Sequence, residues 1–191
     1  MSDYYNHHYQ VYHNRTFWVD PFSFLTILTI HLESGNTVVD VGCGSGRDIL
    51  WLNQRGYDVL GLERSSGLAG LARTHTPCRI IEADFETYDF AQLSADALLL
   101  IGALVHLPRS KFSKVLKTIC RALKKHGFLL ITMKQGQGMA TGPDGRQFYL
   151  WQDEDLRDVF QSQNLAVINF FRQSSKINPD EIWLGYLLKK N

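Results

Sequence analysis

Residues 37–48 read TVVDVGCGSGRD, a β-branched run set directly against three glycines in five residues. That order commits the chain to a strand, a tight turn and a helix in succession. Gly42, Gly44 and Gly46 let the backbone take conformations closed to other residues and let a ligand approach with no Cβ in the way. The helix that follows presents free N–H groups at its start. A plain βα turn does not require three glycines, so the stretch reads as a binding loop. It is not the GxGxxG dinucleotide fingerprint, because Arg47 stands where the third glycine belongs. It is not a P-loop either, since no GK[ST] follows.

Beyond the loop, short apolar runs alternate with helical patterns, the signature of an α/β chain with a parallel sheet. Strands are predicted at 37–41, 57–62, 79–82, 97–101 and 128–133, and helices at 45–55, 66–75, 109–125 and 153–163. In 109–125 the apolar stripe runs Phe112, Val115, Leu116, Ile119, Leu123, with Pro108 before it and Gly127 after it as start and stop signals. Runs at 165–171 and 182–188 have no helix between them and are predicted to pair as an antiparallel hairpin. Residues 1–34 form an extension rich in Tyr and His, with an apolar helix expected at 22–32. Residues 134–147 carry Gly136, Gly138, Gly142 and Gly145 and are expected to be a mobile loop.

The 191 residues suit one domain of about 100–200 residues, here a 1–34 extension on a 35–191 core. Twenty basic against 19 acidic residues leave a net charge of +1, which gives a nucleic-acid partner no electrostatic support. The longest apolar run, Leu98–Val105, falls well short of the roughly 20 residues of a membrane helix. No secretory signal is read at the start. Cys43, Cys78 and Cys120 are scattered without a CxxC pair, which favours neither zinc nor disulfides and fits a cytoplasmic location. His7, His8 and His13 lack acidic or cysteine partners nearby, so no metal is expected.

Glu63 stands at the end of the second strand, about 20 residues past the loop, where a carboxylate accepts both hydroxyls of a ribose. The loop, with Asp40 two positions before the first glycine, resembles motif I of class I methyltransferases that use S-adenosylmethionine (SAM). DYYN at the start, ALVHLPR, MKQG, DGRQF and the closing EIWLGYLLKK narrow the resemblance to small bacterial enzymes similar to the tellurite-resistance and other small-molecule methyltransferases. The likeness covers nearly the whole chain. Two departures are Glu63, where the pattern has Asp, and His7–His8, where it has uncharged residues.

The resemblance implies a Rossmann-like, seven-stranded, mostly parallel sheet with an antiparallel last strand and helices on both faces. It implies SAM as cofactor and S-adenosylhomocysteine (SAH) as product. Asp40, Gly42, Cys43, Gly44, Arg47, Glu63, Arg64, Asp84, Phe85, Gly102 and Ala103 are then the cofactor-binding set, with Asp84 and the Phe85 N–H on the adenine and Arg47 facing the cofactor carboxylate. Tyr12 and Thr16 would fold over it from the extension. His106 is the candidate base or acceptor-positioning residue. Lys134, Arg146 and Tyr149, with Trp151 near them, are acceptor candidates, whereas Trp183 is assigned to the core. Residues 1–20, with Tyr4, Tyr5, Tyr9 and Tyr12, and residues 134–147 are expected to be lids. A small-molecule acceptor is favoured over a non-catalytic SAM or SAH module and over a nucleic-acid methyltransferase. Neither the acceptor nor the oligomeric state is fixed by the sequence.

Overall fold

The structure, a computed structural model, describes residues 2–191, with side chains from Tyr4 onward. The core strands are β1 (Thr37–Val41), β2 (Asp58–Glu63), β3 (Arg79–Glu82), β4 (Ala95–Ile101) and β5 (Leu123–Lys134). β6 (Met139–Thr141) and β7 (Gln147–Tyr149) make a separate hairpin, and β8 (Leu165–Ser174) and β9 (Ile182–Lys190) close the chain. The seven-stranded sheet has the order β3-β2-β1-β4-β5-β9-β8. β1 through β5 pair in parallel, and β9 runs antiparallel to both β5 and β8. The Rossmann-like sheet and its antiparallel last strand are therefore as expected.

The continuous apolar run of β4 follows from burial on both faces. Leu98 and Leu100 point into one core with Phe112, Leu116 and Ile119 of α6 (Arg109–Ile119) and Phe160 of α7 (Asp153–Ser162). Ala97 and Leu99 point into the other core. There they meet Leu25 and Leu28 of α3 (Phe22–Thr29), Ile49 and Leu52 of α4 (Arg47–Asn53), and Ala69 of α5 (Ser66–His75). Strand order reverses between β1 and β4, and a crevice opens at such a point beyond the carboxyl ends of the strands.

Three expectations are corrected. α6 stops at Ile119, and Leu123 begins β5 opposite Ala95 of β4. Gly127 is not a helix stop: a Cβ there would lie 2.8 Å from the Asp96 carbonyl oxygen, so the strand needs glycine to approach its neighbour. Residues 134–147 are not one open loop, because Met139–Thr141 pairs with Gln147–Tyr149. The extension holds two further helices, α1 (Ser2–His7) and α2 (Tyr9–Thr16), which pack on α5.

Candidate functional site

The glycine loop leaves β1 bent hard against the end of β4. Gly42 has φ 75°, and a Cβ there would meet the Ala103 Cβ at 2.9 Å. Glu63, 8% exposed, anchors the loop from the end of β2: its Oε2 accepts from the Gly44 N–H at 2.9 Å and its Oε1 from the Ser65 N–H at 2.7 Å. Burial pushes this carboxyl above the usual carboxylate range, against the pull of those two N–H groups. Each oxygen keeps a second lone pair. A solvated strand-end charge is therefore not what Glu63 is.

Asp40 and Cys43 are buried beneath the loop and line a small cavity of about 50 Å³ with Gly42, Gly44 and Arg47. Burial, with Asp48 nearby, raises the Asp40 carboxyl well above its ordinary value. Arg47 is not a free cation. Its Nε and Nη2 hold both Asp48 oxygens at 2.7 and 2.9 Å, and its Nη1 donates to the Thr16 carbonyl. The Tyr12 ring lies over Gly44, 3.7 Å from where a Cβ would stand.

At the end of β3, burial raises the Asp84 carboxyl, but the Glu86 N–H and Arg64, whose Nη1 lies 2.8 Å away, outweigh it and hold the group below its usual range. Phe85 packs half-buried against the core. Neither it, Asp84 nor Glu63 lines the small cavity or its larger neighbour. Past β4, Gly102 donates its N–H to Thr132 Oγ1 at 2.9 Å, under the Trp183 ring.

The larger cavity, about 280 Å³, adjoins the loop and joins His106, Lys134 and Arg146 with Tyr12, Thr16, Arg47 and Gly102. His106 Nδ1 lies 2.6 Å from the Gln147 carbonyl oxygen, which only accepts, so Nδ1 carries the proton. Nε2 then accepts from the Tyr5 hydroxyl at 2.8 Å, and Arg146 Nη1 donates to that hydroxyl at 2.9 Å. Burial pushes the Tyr5 phenol up and the His106 imidazole down to about 4. His106 is thus neutral, with its one lone pair engaged. Asp144 accepts from Arg146 and from Tyr4 at 3.1 Å, and Arg146 draws its carboxyl down to about 2. Lys134, 7% exposed, sits 2.6 Å from Glu181 Oε2 and 3.8 Å from the Phe148 ring centroid.

Tyr149 lines neither cavity, because strand alternation turns Phe148 inward and Tyr149 away. Trp151 is a core residue against Phe112, with ring centroids 4.6 Å apart. Trp183 is the reverse case: assigned to the core from sequence, it is half-buried in the cavity wall. Asp144, Phe148 and Glu181 escaped the sequence reading. The alternation from Arg146 to Phe148 was a usable signal for one of them, and nothing in the sequence marked Glu181. His13 Nδ1 bonds Ser45 Oγ at 2.9 Å and its ring stacks on His75. Among the described residues no three His, Cys, Asp or Glu converge as a metal site would require.

The family described as "Methyltransferase domain" matches residues 38–127. Thiopurine S-methyltransferase from Bordetella petrii is 29% identical over 160 residues, 73% of this chain and 71% of that protein. Against another curated relative, 30% identical over 108 residues, the chain spans only 40% of the relative's length. Among solved structures, the Burkholderia thailandensis 1,6-didemethyltoxoflavin-N1-methyltransferase, with 1,6-didemethyltoxoflavin and SAH bound, superposes with a TM-score of 0.78 at 18% identity, covering 98% of this chain and 84% of that one. A TehB-like SAM-dependent methyltransferase from Corynebacterium glutamicum gives 0.74 at 22% identity, covering 97% and 99%.

Proposed function

We propose that the protein, whose residues 38–127 match the methyltransferase-domain family and whose fold is that of class I methyltransferases, transfers a methyl group from SAM to a small-molecule acceptor. The observation that carries the reading is the glycine loop pinned to Glu63 beside a cavity at the ends of β4 and β5. The residues present fit SAM. Gly42, Cys43 and Gly44 line the small cavity with backbone, and Gly42 lets the loop sit against Ala103, where a Cβ would collide. Glu63 keeps lone pairs for ribose hydroxyls, and Asp84, the Phe85 N–H, Gly102 and Ala103 suit the adenosine, with Arg64 orienting Asp84. Asp40 lines the small cavity, where it would meet the methionyl end. Bound there, SAM supplies an electrophilic methyl, which the acceptor lone pair takes as the carbon–sulfur bonding pair passes to sulfur.

Arg47 is committed to Asp48, so its part is to fix the start of α4 rather than to pair with the cofactor carboxylate. His106 serves as an anchor and not as a base, since Tyr5 takes its lone pair. Tyr5 and Tyr12 belong to a lid: Tyr12 lies on the loop, so α1 and α2 must shift to admit a cofactor. Tyr4 and Tyr5 tie that lid to Asp144 and Arg146 of the hairpin, so the two segments close as one. Such closure excludes water and holds the reactants in line.

Two curated relatives carry methyltransferase names, one for thiopurines and one for a sterol, and both acceptors are small molecules. Calorimetry tests the first step: SAM and SAH bind and NAD does not. An acceptor screen with methyl-labelled SAM tests the second. SAH binding with no label transferred to any small molecule leaves a non-catalytic module, and NAD binding without SAM overturns the whole reading.

A further inference from the structure

We propose that the acceptor is a planar aromatic or heteroaromatic anion, held by Lys134 between the Phe148 and Trp183 rings, and that Glu181 is the counter-ion it displaces. The proposal rests on the methyltransferase reading and adds the chemical class of the acceptor.

The two halves of the Lys134–Glu181 pair are built differently. Lys134 ends a central strand, and its side chain is 9% exposed. Glu181 hangs from the turn between β8 and β9, and its side chain is 34% exposed. A buried cation left without an anion is costly, whereas a half-buried carboxylate at the end of an exposed turn returns to water more cheaply. An incoming anion can therefore replace Glu181 at little cost, and a neutral acceptor cannot. The walls add shape. Lys134 Nζ stands 3.8 Å from the Phe148 ring centroid and 5.4 Å from that of Trp183, so the cation is flanked by flat faces that favour stacking on a planar ligand.

Charge around the cavity points the same way. Arg15 and Lys176 line it, and among the described residues neither forms an ion pair with a carboxylate. A mouth of that sign draws anions inward. Deprotonation supplies the third support. His106 has no lone pair to spare in the closed site, so an acceptor whose reacting atom carries a proton has to arrive already ionised. Ring-borne thiols, acidic ring N–H groups and activated phenols do so near neutral pH, and their anions are planar and delocalised.

Calorimetry with defined probes tests this. The protein is first titrated with SAH, then, saturated with it, with 2-naphthoate, 2-naphthamide and sulfate. Naphthoate is expected to bind at least about tenfold tighter than the isosteric amide, as a desolvated charge pair allows. Glu181→Gln, a change on an exposed turn, is expected to tighten naphthoate several-fold by removing the competitor. Lys134→Gln is expected to erase the preference for the anion, and Lys134→Arg to keep it. Should Lys134→Gln fail to fold, Glu181→Gln and the acid–amide comparison decide alone. Equal affinity for acid and amide, or no tightening in Glu181→Gln, overturns the proposal. Sulfate binding as tightly as naphthoate overturns it in favour of a bare oxyanion site. Absence of SAH heat in the first titration strikes at the methyltransferase reading instead, and naphthoate titrated into the ligand-free protein then tests the anion site by itself.

Discussion

The Tyr5 hydroxyl and Nε2 of His106 lie 2.8 Å apart across 101 positions of sequence. That bond joins the first helix to the segment after the central strand, over the mouth of the cavity. Arg146 reaches the same hydroxyl from the hairpin, so three distant segments meet on one oxygen atom.

Tyr5→Phe removes that meeting point and leaves the ring. The closed lid loses two hydrogen bonds at about 1 kcal/mol each, so SAH affinity is expected to fall about thirtyfold while the sheet stays folded. Hydrogen exchange should report faster amides in residues 2–16 of the SAH-bound variant. Unchanged affinity and unchanged exchange would return Tyr5 to simple packing.

Glu63→Ala strands the Gly44 and Ser65 N–H groups and removes the carboxylate assigned to the ribose. A loss of about 2–3 kcal/mol in SAH binding is expected, from charge-assisted bonds and underpaired donors together. Glu63→Gln keeps an acceptor for one N–H and should fall between Ala and the native residue. Calorimetry on variants with native circular dichroism decides it; full affinity in Glu63→Ala would confine Glu63 to holding the loop.

Gly42→Ala places a side chain at φ 75° and against Ala103. The left-handed backbone alone costs about 1–2 kcal/mol, and the contact with Ala103 adds to it. Urea denaturation should show the loss, and SAH binding should vanish, since the loop can relieve the contact only by leaving β4. A variant of native stability and affinity would mean that the crevice is wider than it stands here.

Burial holds His106 at about 4, below the roughly 6.5 of an unfolded histidine. Between those values the unfolded chain takes up a proton that the folded chain refuses, so this group lowers stability as pH falls from about 6.5 towards 4 and leaves it unaffected above. His106→Gln should flatten that part of the stability curve relative to the native protein, because the other titrating groups, His13 among them, remain in both. Denaturation midpoints at pH 7, 6, 5 and 4 measure the difference; parallel curves would show that His106 is hydrated and ordinary.

The elements legible in the sequence were those whose pattern and packing agree. β1, β3 and α5 have the expected bounds because alternation, turn residues and caps all point one way. The end of α6 was misread because Leu123 continues the helical stripe four residues after Ile119, yet its pairing with Ala95 wins. α1 and α2 carry no apolar periodicity to find: their packed faces are half-buried tyrosines, and the hydroxyls of Tyr4 and Tyr5 reach Asp144 and His106. The cofactor side of the site was readable because it is one local motif, the loop with Glu63. Of the larger cavity, Lys134 and Arg146 were readable but Phe148 and Glu181 were not, and Trp183 was put in the core, because these side chains meet only through the order in which strands are laid down.

That order has a consequence for how the molecule comes to exist. β9 is the last strand along the chain and yet sits inside the sheet, between β5 and β8. Until residues 182–190 leave the ribosome, β5 offers an open flank, and Tyr186, Leu187 and Leu188, buried in the finished fold, have nowhere to go. A nascent chain stalled at residue 181 would carry an unpaired edge of the kind that recruits other strands. Trp183 arrives with the same insertion, so the cavity gains its second flat wall in the step that seals the sheet, and chains that fail to seal it are also chains without a finished cavity.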